Sequence, residues 1–352
     1  MSRFFSKKYA SLTPYTPGEQ PQERKYIKLN TNESPFPPSP IAQRLARQAA
    51  GDLMLYSDPE CRALVSTASE VLNVNENEIL FTNGSDEILN FAFMAFCDEE
   101  HPAVFPNVTY GFYSVFAELN HVPYEEIPLS DDFSVRTDDY IGIGKNIFIA
   151  NPNAQTGIAL PLPDIERIVR SNPDNVVVVD EAYVDFGAES ALGLIHKYDN
   201  LLVVQTLSKS RSLAGARLGF GAGCAELIKD LNTVKYSTNP YNINRMTAAA
   251  GIGALSDVGY FRENCAKIIR TREWTKEKLR ELGFTVTDSS ANFVLAKHKS
   301  TGGRELYLAL KERGVLVRHF DTELLRDYNR ITIGSDEEMR EFIRILTEIP
   351  EA

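Results

Sequence analysis

Cysteine and histidine are sparse and scattered in this chain, with no metal-ligand spacing. The four cysteines, Cys61, Cys97, Cys224 and Cys265, form no CxxC pair. The five histidines, His101, His121, His196, His298 and His319, show no ligand spacing either. Such thiols read as buried or indifferent groups in a reducing compartment. Long apolar runs are missing: no window approaches the roughly 18 consecutive apolar residues of a membrane helix. The opening MSRFFSKKYASLTPY lacks the continuous apolar core of a signal peptide. Positive charge is in deficit, with 37 Lys and Arg against 48 Asp and Glu and a net charge of -11, which argues against a nucleic-acid partner. Several nucleotide and hydrolase signatures also fail. Gly142-Ile143-Gly144-Lys145 lacks Walker spacing, Gly219-Phe220-Gly221-Ala222-Gly223 is not GxGxxG, and there is no GxSxG elbow. A soluble, cytoplasmic protein is expected.

What is present is an ordinary globular composition over 352 residues, 43% hydrophobic and 24% charged. That length suggests two domains, or one large α/β unit with an appendage. Dense proline in residues 1–38 forbids a helix and predicts an extended arm, with Tyr15, Tyr26, Ile27, Leu29 and Phe36 able to pack it down. Over residues 39–243 short apolar segments alternate with amphipathic ones. Strands are expected at 78–82, 103–105, 122–126, 146–150, 176–179, 201–204 and 218–221, with helices at 41–50, 62–72, 88–96, 112–119 and 163–170. Near-continuous apolar strands between helices predict a mainly parallel sheet covered on both faces. From about Asn244 the pattern changes to a smaller α+β domain, residues 244–352, with a long helix over 260–282. Its strands are expected at 284–286, 292–296, 315–318 and 330–334 and two further helices at 305–313 and 336–347.

The richest stretch is LLVVQTLSKSRSLAGARLG, residues 201–219. A buried strand ends there in Thr206, Ser208 and Lys209, and Arg217 follows eight residues after the lysine. Shielding from water lowers a lysine pKa and frees the amine as a nucleophile. Hydroxyls beside an arginine suit a phosphate monoester. A nucleophilic amine next to a phosphate site suggests pyridoxal phosphate, although a Ser-Lys-Ser is by itself also an ordinary polar turn. Ser85 and Asp86 open a helix after a glycine turn, an anion-binding arrangement, and Ser85 serves equally as a plain N-cap. Asp180 closes the strongest apolar strand. A carboxylate there needs a partner such as a protonated pyridine nitrogen, or else it caps a turn. Asn153, Asp180, Tyr183 and Lys209 all follow strands, so they should meet beyond the carboxyl edge of the sheet.

Taken together, these residues resemble the fold-type I, class I/II aminotransferases dependent on pyridoxal phosphate, and among them the histidinol-phosphate aminotransferases. The resemblance runs over essentially the whole chain. It rests on Leu-Thr-Pro-Tyr, Asn-Thr-Asn-Glu-Ser-Pro, Leu-Tyr-Ser-Asp-Pro, Gly-Ser-Asp-Glu, Thr-Tyr-Gly, Asp-Glu-Ala-Tyr, Ser-Lys-Ser…Gly-Ala-Arg-Leu-Gly and Arg-Ile-Thr-Ile-Gly. It implies transamination of histidinol phosphate with 2-oxoglutarate in histidine biosynthesis. An aromatic aminotransferase or a threonine-phosphate-type decarboxylase would share the same core residues. Lys209 would bond the cofactor aldehyde and carry the proton, Asp180 would hold the pyridine nitrogen, Tyr183 the phenolic oxygen, and Tyr110 would stack on the ring. Ser85, Asp86 through its N–H, Thr206, Ser208 and Arg217 would hold the cofactor phosphate. Tyr56 would reach the phosphate in a partner subunit, which implies a homodimer. Arg330, assisted by Arg318, would grip the substrate anion, with Tyr15 and Asn32 closing over it. One departure stands out. The usual Asn-Pro-Asn-Asn-Pro-Thr-Gly reads Asn-Pro-Asn-Ala-Gln-Thr-Gly here, so either Asn153 takes over the contact to the ring oxygen or Tyr183 makes it alone. The missing proline at Gln155 also removes the reason for a cis peptide there.

Overall fold

The computed structural model describes residues 2–13 and 15–349. Pro14 of the Leu-Thr-Pro-Tyr motif, and residues 1 and 350–352 at the ends of the expected arm and C-terminal domain, lie outside the described residues. Among the described residues, twelve strands form two sheets: β1 (Ile27–Leu29), β2 (Ile79–Thr82), β3 (Ala103–Pro106), β4 (Tyr124–Ile127), β5 (Asn146–Ala150), β6 (Val177–Asp180), β7 (Leu201–Thr206), β8 (Gly219–Gly223), β9 (Phe284–Val286), β10 (Phe293–His298), β11 (Val315–His319) and β12 (Asn329–Thr332). The larger sheet runs β2-β8-β7-β6-β5-β3-β4, and its pairs are parallel except those made by β8. The smaller runs β1-β11-β12-β10-β9, parallel at β1–β11 and antiparallel elsewhere.

The central strands form where the sequence stacks β-branched and leucine side chains. Val177–Val179 and Leu201–Val204 are buried on both faces, which stiff branched side chains favour in a pleated sheet. Helices cover both faces of this sheet, and β5, β6 and β7 run parallel, so their carboxyl ends lie along one rim. In parallel sheets that rim is where loops are free to carry chemistry.

Three features differ from the sequence expectation. The arm contributes a strand, β1, whose residues pair Ile27 with Val315 and Leu29 with Val317, so it is built into the smaller sheet. A helix over Ala225–Thr238 follows β8, and its apolar spacing is too sparse to register as periodicity: Ile228 and Leu231 are its buried aliphatic residues. The helix expected at 88–96 begins three residues earlier, at Ser85. The single cis peptide among the described residues is Asn151–Pro152, and the bond preceding Gln155 is trans.

Candidate active site

The rim carries a cleft of about 510 Å³ walled by residues from five separate segments: Ser85 and Asp86, Tyr110, Ala150 and Ala154, Asp180 to Tyr183, and Thr206 to Arg217. Each segment arrives for a local reason. Gly84 is the N-cap of the helix Ser85–Phe96, with φ +77°, a left-handed conformation that glycine adopts without strain. Ser85 is therefore the first residue inside the helix and not its cap, and its hydroxyl is spared the capping bond. Gly219 on β8 lets that helix start approach closely: a Cβ there would sit 2.5 Å from the Ser85 backbone nitrogen. The helix N-terminus, with its free N–H groups and partial positive charge, is thus set against the end of β7.

Thr206 and Ser208 follow on the β7 end, Thr206 Oγ1 donating to Ser208 Oγ at 3.0 Å. Arg217 is more exposed and donates to Asp86 Oδ2 at 2.7 Å, while the Tyr110 hydroxyl donates to Asp86 Oδ1 at 2.6 Å. Two helix-start N–H groups, three hydroxyls and a guanidinium surround one end of the cleft, a donor set suited to a dianion.

At the other end lies Asp180, only 4% exposed. Its Oδ2 accepts from the Tyr113 hydroxyl at 2.9 Å and its Oδ1 from the Ala182 N–H at 3.2 Å. No cation pairs with it among the described residues, and burial pushes its carboxyl up to about 6, with the Tyr113 bond opposing that rise. Between the two ends stands Lys209. Its Nζ donates to the Thr31 carbonyl at 3.2 Å and lies 5.9 Å from the Tyr183 ring centre. Burial, reinforced by the nearby Arg330 charge, brings its ammonium down to about 8. Tyr183 is buried, and burial raises its phenol above the ordinary value.

Most residues singled out in the sequence come together: Ser85, Asp86, Tyr110, Asp180, Tyr183, Thr206, Ser208, Lys209 and Arg217 share this cleft. Asn153 does not. Its amide donates to the Val108 carbonyl at 2.8 Å and accepts from the Gln155 and Thr156 N–H groups, so it braces the loop, and Ala154 forms the wall instead. Asn32 is also committed: Nδ2 donates to the Tyr183 hydroxyl at 3.1 Å and Oδ1 accepts from Thr332 at 2.9 Å. Arg330 on β12 lies between the Phe293 and Phe320 rings. Its Nη1 donates to the Ala154 carbonyl and to Gln155 Oε1, and its buried Nε has no partner among the described residues. Arg318 binds the arm carbonyls of Thr16 and Pro17, and Tyr15 stacks on Phe112 at 4.3 Å. Tyr15, Gln155 and Arg318 all line a broader adjoining cleft of about 1230 Å³. Tyr56 lies outside the cleft of its own chain, 80% exposed and stacked on Tyr241.

Sequence reasoning missed Tyr113, Thr31 and Gln155. Tyr113 is a fully buried residue in a helix, identical in pattern to a core tyrosine, and Thr31 acts through its backbone. Gln155 did carry a signal, as the departure from the usual proline. No group of three or more His, Cys, Asp or Glu among the described residues is arranged to hold a metal.

This chain belongs to the class I and II aminotransferases, whose family pattern matches residues 24–346. Within that family its relatives include the histidinol-phosphate aminotransferases of Brachyspira hyodysenteriae, 52% identical over 97% of this chain and 98% of that protein, and of a Marinomonas species, 50% identical over 96% and 97%. The fold is shared with the histidinol-phosphate aminotransferase of Sinorhizobium meliloti solved in complex with pyridoxal-5'-phosphate, at a TM-score of 0.90 and 24% identity, over 99% of this chain and 98% of that one.

Proposed function

We propose that this aminotransferase uses pyridoxal phosphate to transfer the amino group of histidinol phosphate to 2-oxoglutarate, giving imidazole-acetol phosphate and glutamate in cytoplasmic histidine biosynthesis. The observation that carries the reading is one cleft with a depressed-pKa lysine between a buried unpaired carboxylate and a dianion cradle, in a chain half identical to enzymes of that name.

The residues fit the cofactor. Asp180, buried without a cation, has room for a ring N–H⁺. Ser85, Asp86 through its N–H, Thr206, Ser208 and Arg217 match a phosphate monoester, and Tyr110 walls the space between. Pyridoxal phosphate, when bound, supplies an aldehyde that condenses with amines and a protonated ring that draws electrons from the adjoining carbon. Lys209 Nζ would be the attaching amine and proton carrier. With a pKa near 8 it holds and releases a proton readily around neutral pH. Tyr183 would hold the phenolic oxygen, its hydroxyl accepting from Asn32 Nδ2, while Asn153 is engaged with the Val108 carbonyl. Arg330 takes the substrate anion. Its orphaned Nε and desolvated guanidinium favour a negative guest. Arg318 and Tyr15 close the arm over the neighbouring cleft.

The working unit is a homodimer in which Tyr56 reaches the phosphate site of the partner subunit. Exposed Leu53, Met54, Leu55 and Tyr56 form a consecutive apolar run that water covers poorly. An arm over residues 1–38, a large domain over 39–243 and a small one over 244–352 complete the proposed organisation.

The test is visible absorption of the cofactor-loaded protein during titration with histidinol phosphate, with phenylalanine as the control and Lys209→Ala as the blank. Conversion of the cofactor band at low histidinol phosphate, but only weakly by phenylalanine and not in Lys209→Ala, is expected. Conversion by phenylalanine alone would overturn the substrate, and normal turnover by Lys209→Ala would overturn the mechanism.

A further inference from the structure

We infer that Gln155 is a positioning residue for the substrate anion: its amide bridges the large-sheet loop and Arg330, holding the guanidinium ready for a phosphate or carboxylate. The inference rests on Arg330 as the anion site. Gln155 Nε2 donates to the Thr109 carbonyl at 3.1 Å, which leaves Oε1 facing Arg330 Nη1 at 3.1 Å. The order of the two amide atoms is dictated by the partners, since a carbonyl can only accept and a guanidinium can only donate. Arg330 belongs to β12 in the smaller sheet, whereas Thr109 and Gln155 follow β3 and β5 of the larger one. The bridge therefore ties the arginine to the part of the molecule that carries Lys209.

Without it, the guanidinium keeps, among the described residues, the Ala154 carbonyl at 3.0 Å and the Asn30 carbonyl at 3.4 Å. Phe293 and Phe320 pack against it, their ring centres 5.2 and 5.6 Å from the guanidinium carbon. A proline at this position would offer no side-chain donor or acceptor, so the bridge depends on the Gln155 amide of this chain's Asn-Ala-Gln sequence. Gln155 also lines the broader cleft beside Tyr15 and Arg318, so the bridge stands at the wall a substrate passes.

The experiment is steady-state kinetics of the cofactor-loaded Gln155→Met and Gln155→Glu variants with histidinol phosphate, with inorganic phosphate as a competitive inhibitor. Methionine keeps the length and volume without the amide. KM and the phosphate inhibition constant should rise together by about tenfold, with kcat within about threefold, as loss of one hydrogen bond to a charged group predicts. Glutamate places a carboxylate on Arg330 and should raise both further. Melting temperature and the spectrum of the bound cofactor should stay near those of the parent, which a general structural loss would not allow. Unchanged KM and inhibition constants in both variants, or a fall in kcat at constant KM, would overturn the inference. If the parent fails to turn over histidinol phosphate yet phosphate inhibition of another amine donor still responds to Gln155, the substrate reading falls and the positioning role stands.

Discussion

Asp180 and Lys209 both sit in the folded chain with their ordinary charges disfavoured, and the direction of each shift says what the site is waiting for. The Asp180 carboxyl rises from 3.8 to about 6. Its contribution to stability is therefore full below pH 3.8 and lost as pH rises through about 6. Lys209 falls from 10.5 to about 8, so its contribution is full only above pH 10.5 and is lost as pH falls through about 8. Near pH 7 both groups work against the empty fold, a cost that a bound cation at Asp180 and a bond at Lys209 would offset. Asp180→Asn should accordingly make the cofactor-free protein more stable at pH 7.5, by roughly 2–3 kcal/mol, while weakening its grip on pyridoxal phosphate. Urea unfolding at pH 7.5 and pH 4 measures this, because the gap should close at the lower pH. Equal stability at both would mean that the carboxylate is not desolvated.

At the scale of elements, the anion cradle depends on how tightly one helix start meets one strand. Gly84 makes the turn and Gly219 leaves the space: a methyl at position 219 would stand 2.7 Å from the Gly84 carbonyl carbon as well as against Ser85. These are backbone atoms, which cannot swing aside. Gly219→Ala should cost about 1–3 kcal/mol in stability and lower cofactor affinity in parallel, since it pushes the Ser85 and Asp86 N–H groups away from Thr206 and Ser208. Thermal unfolding and cofactor titration of the same sample test the pairing. Loss of stability without loss of affinity would separate the helix start from the phosphate site. The antiparallel β8 has its place in this arrangement: pairing with both β2 and β7, it fixes the distance between the loop after β2 and the loop after β7.

For the whole molecule, the exposed run Leu53–Tyr56 would be the surface of the proposed dimer and would carry Tyr56 to the partner's cleft. Arg245 donates to the carbonyls of Leu55 and Tyr56, holding the run outward while Tyr56 stacks on Tyr241. Sedimentation should give twice the 39.4 kDa chain mass. Tyr56→Phe should keep the dimer and the stack but loosen the cofactor by about three- to tenfold, as loss of one hydroxyl bond to phosphate implies. A monomer with full activity would remove Tyr56 from the site.

The sequence by itself determined most of the alternation of strands and helices and the rim along which Asp180 and Lys209 meet, because apolar run length, glycine turns and charged residues at strand ends are local quantities. It also marked Gln155 as unusual without saying what it touches. Only the tertiary structure decided that Asn153 braces a loop while Ala154 faces the cleft, that Asn32 orients Tyr183, and that Tyr113 supports Asp180. It alone also placed the arm as a strand of the smaller sheet. These are choices among hydrogen-bond partners brought together from distant parts of the chain. Which partner an amide or phenol takes depends on which groups lose their water together, and that is settled when the chain closes on itself.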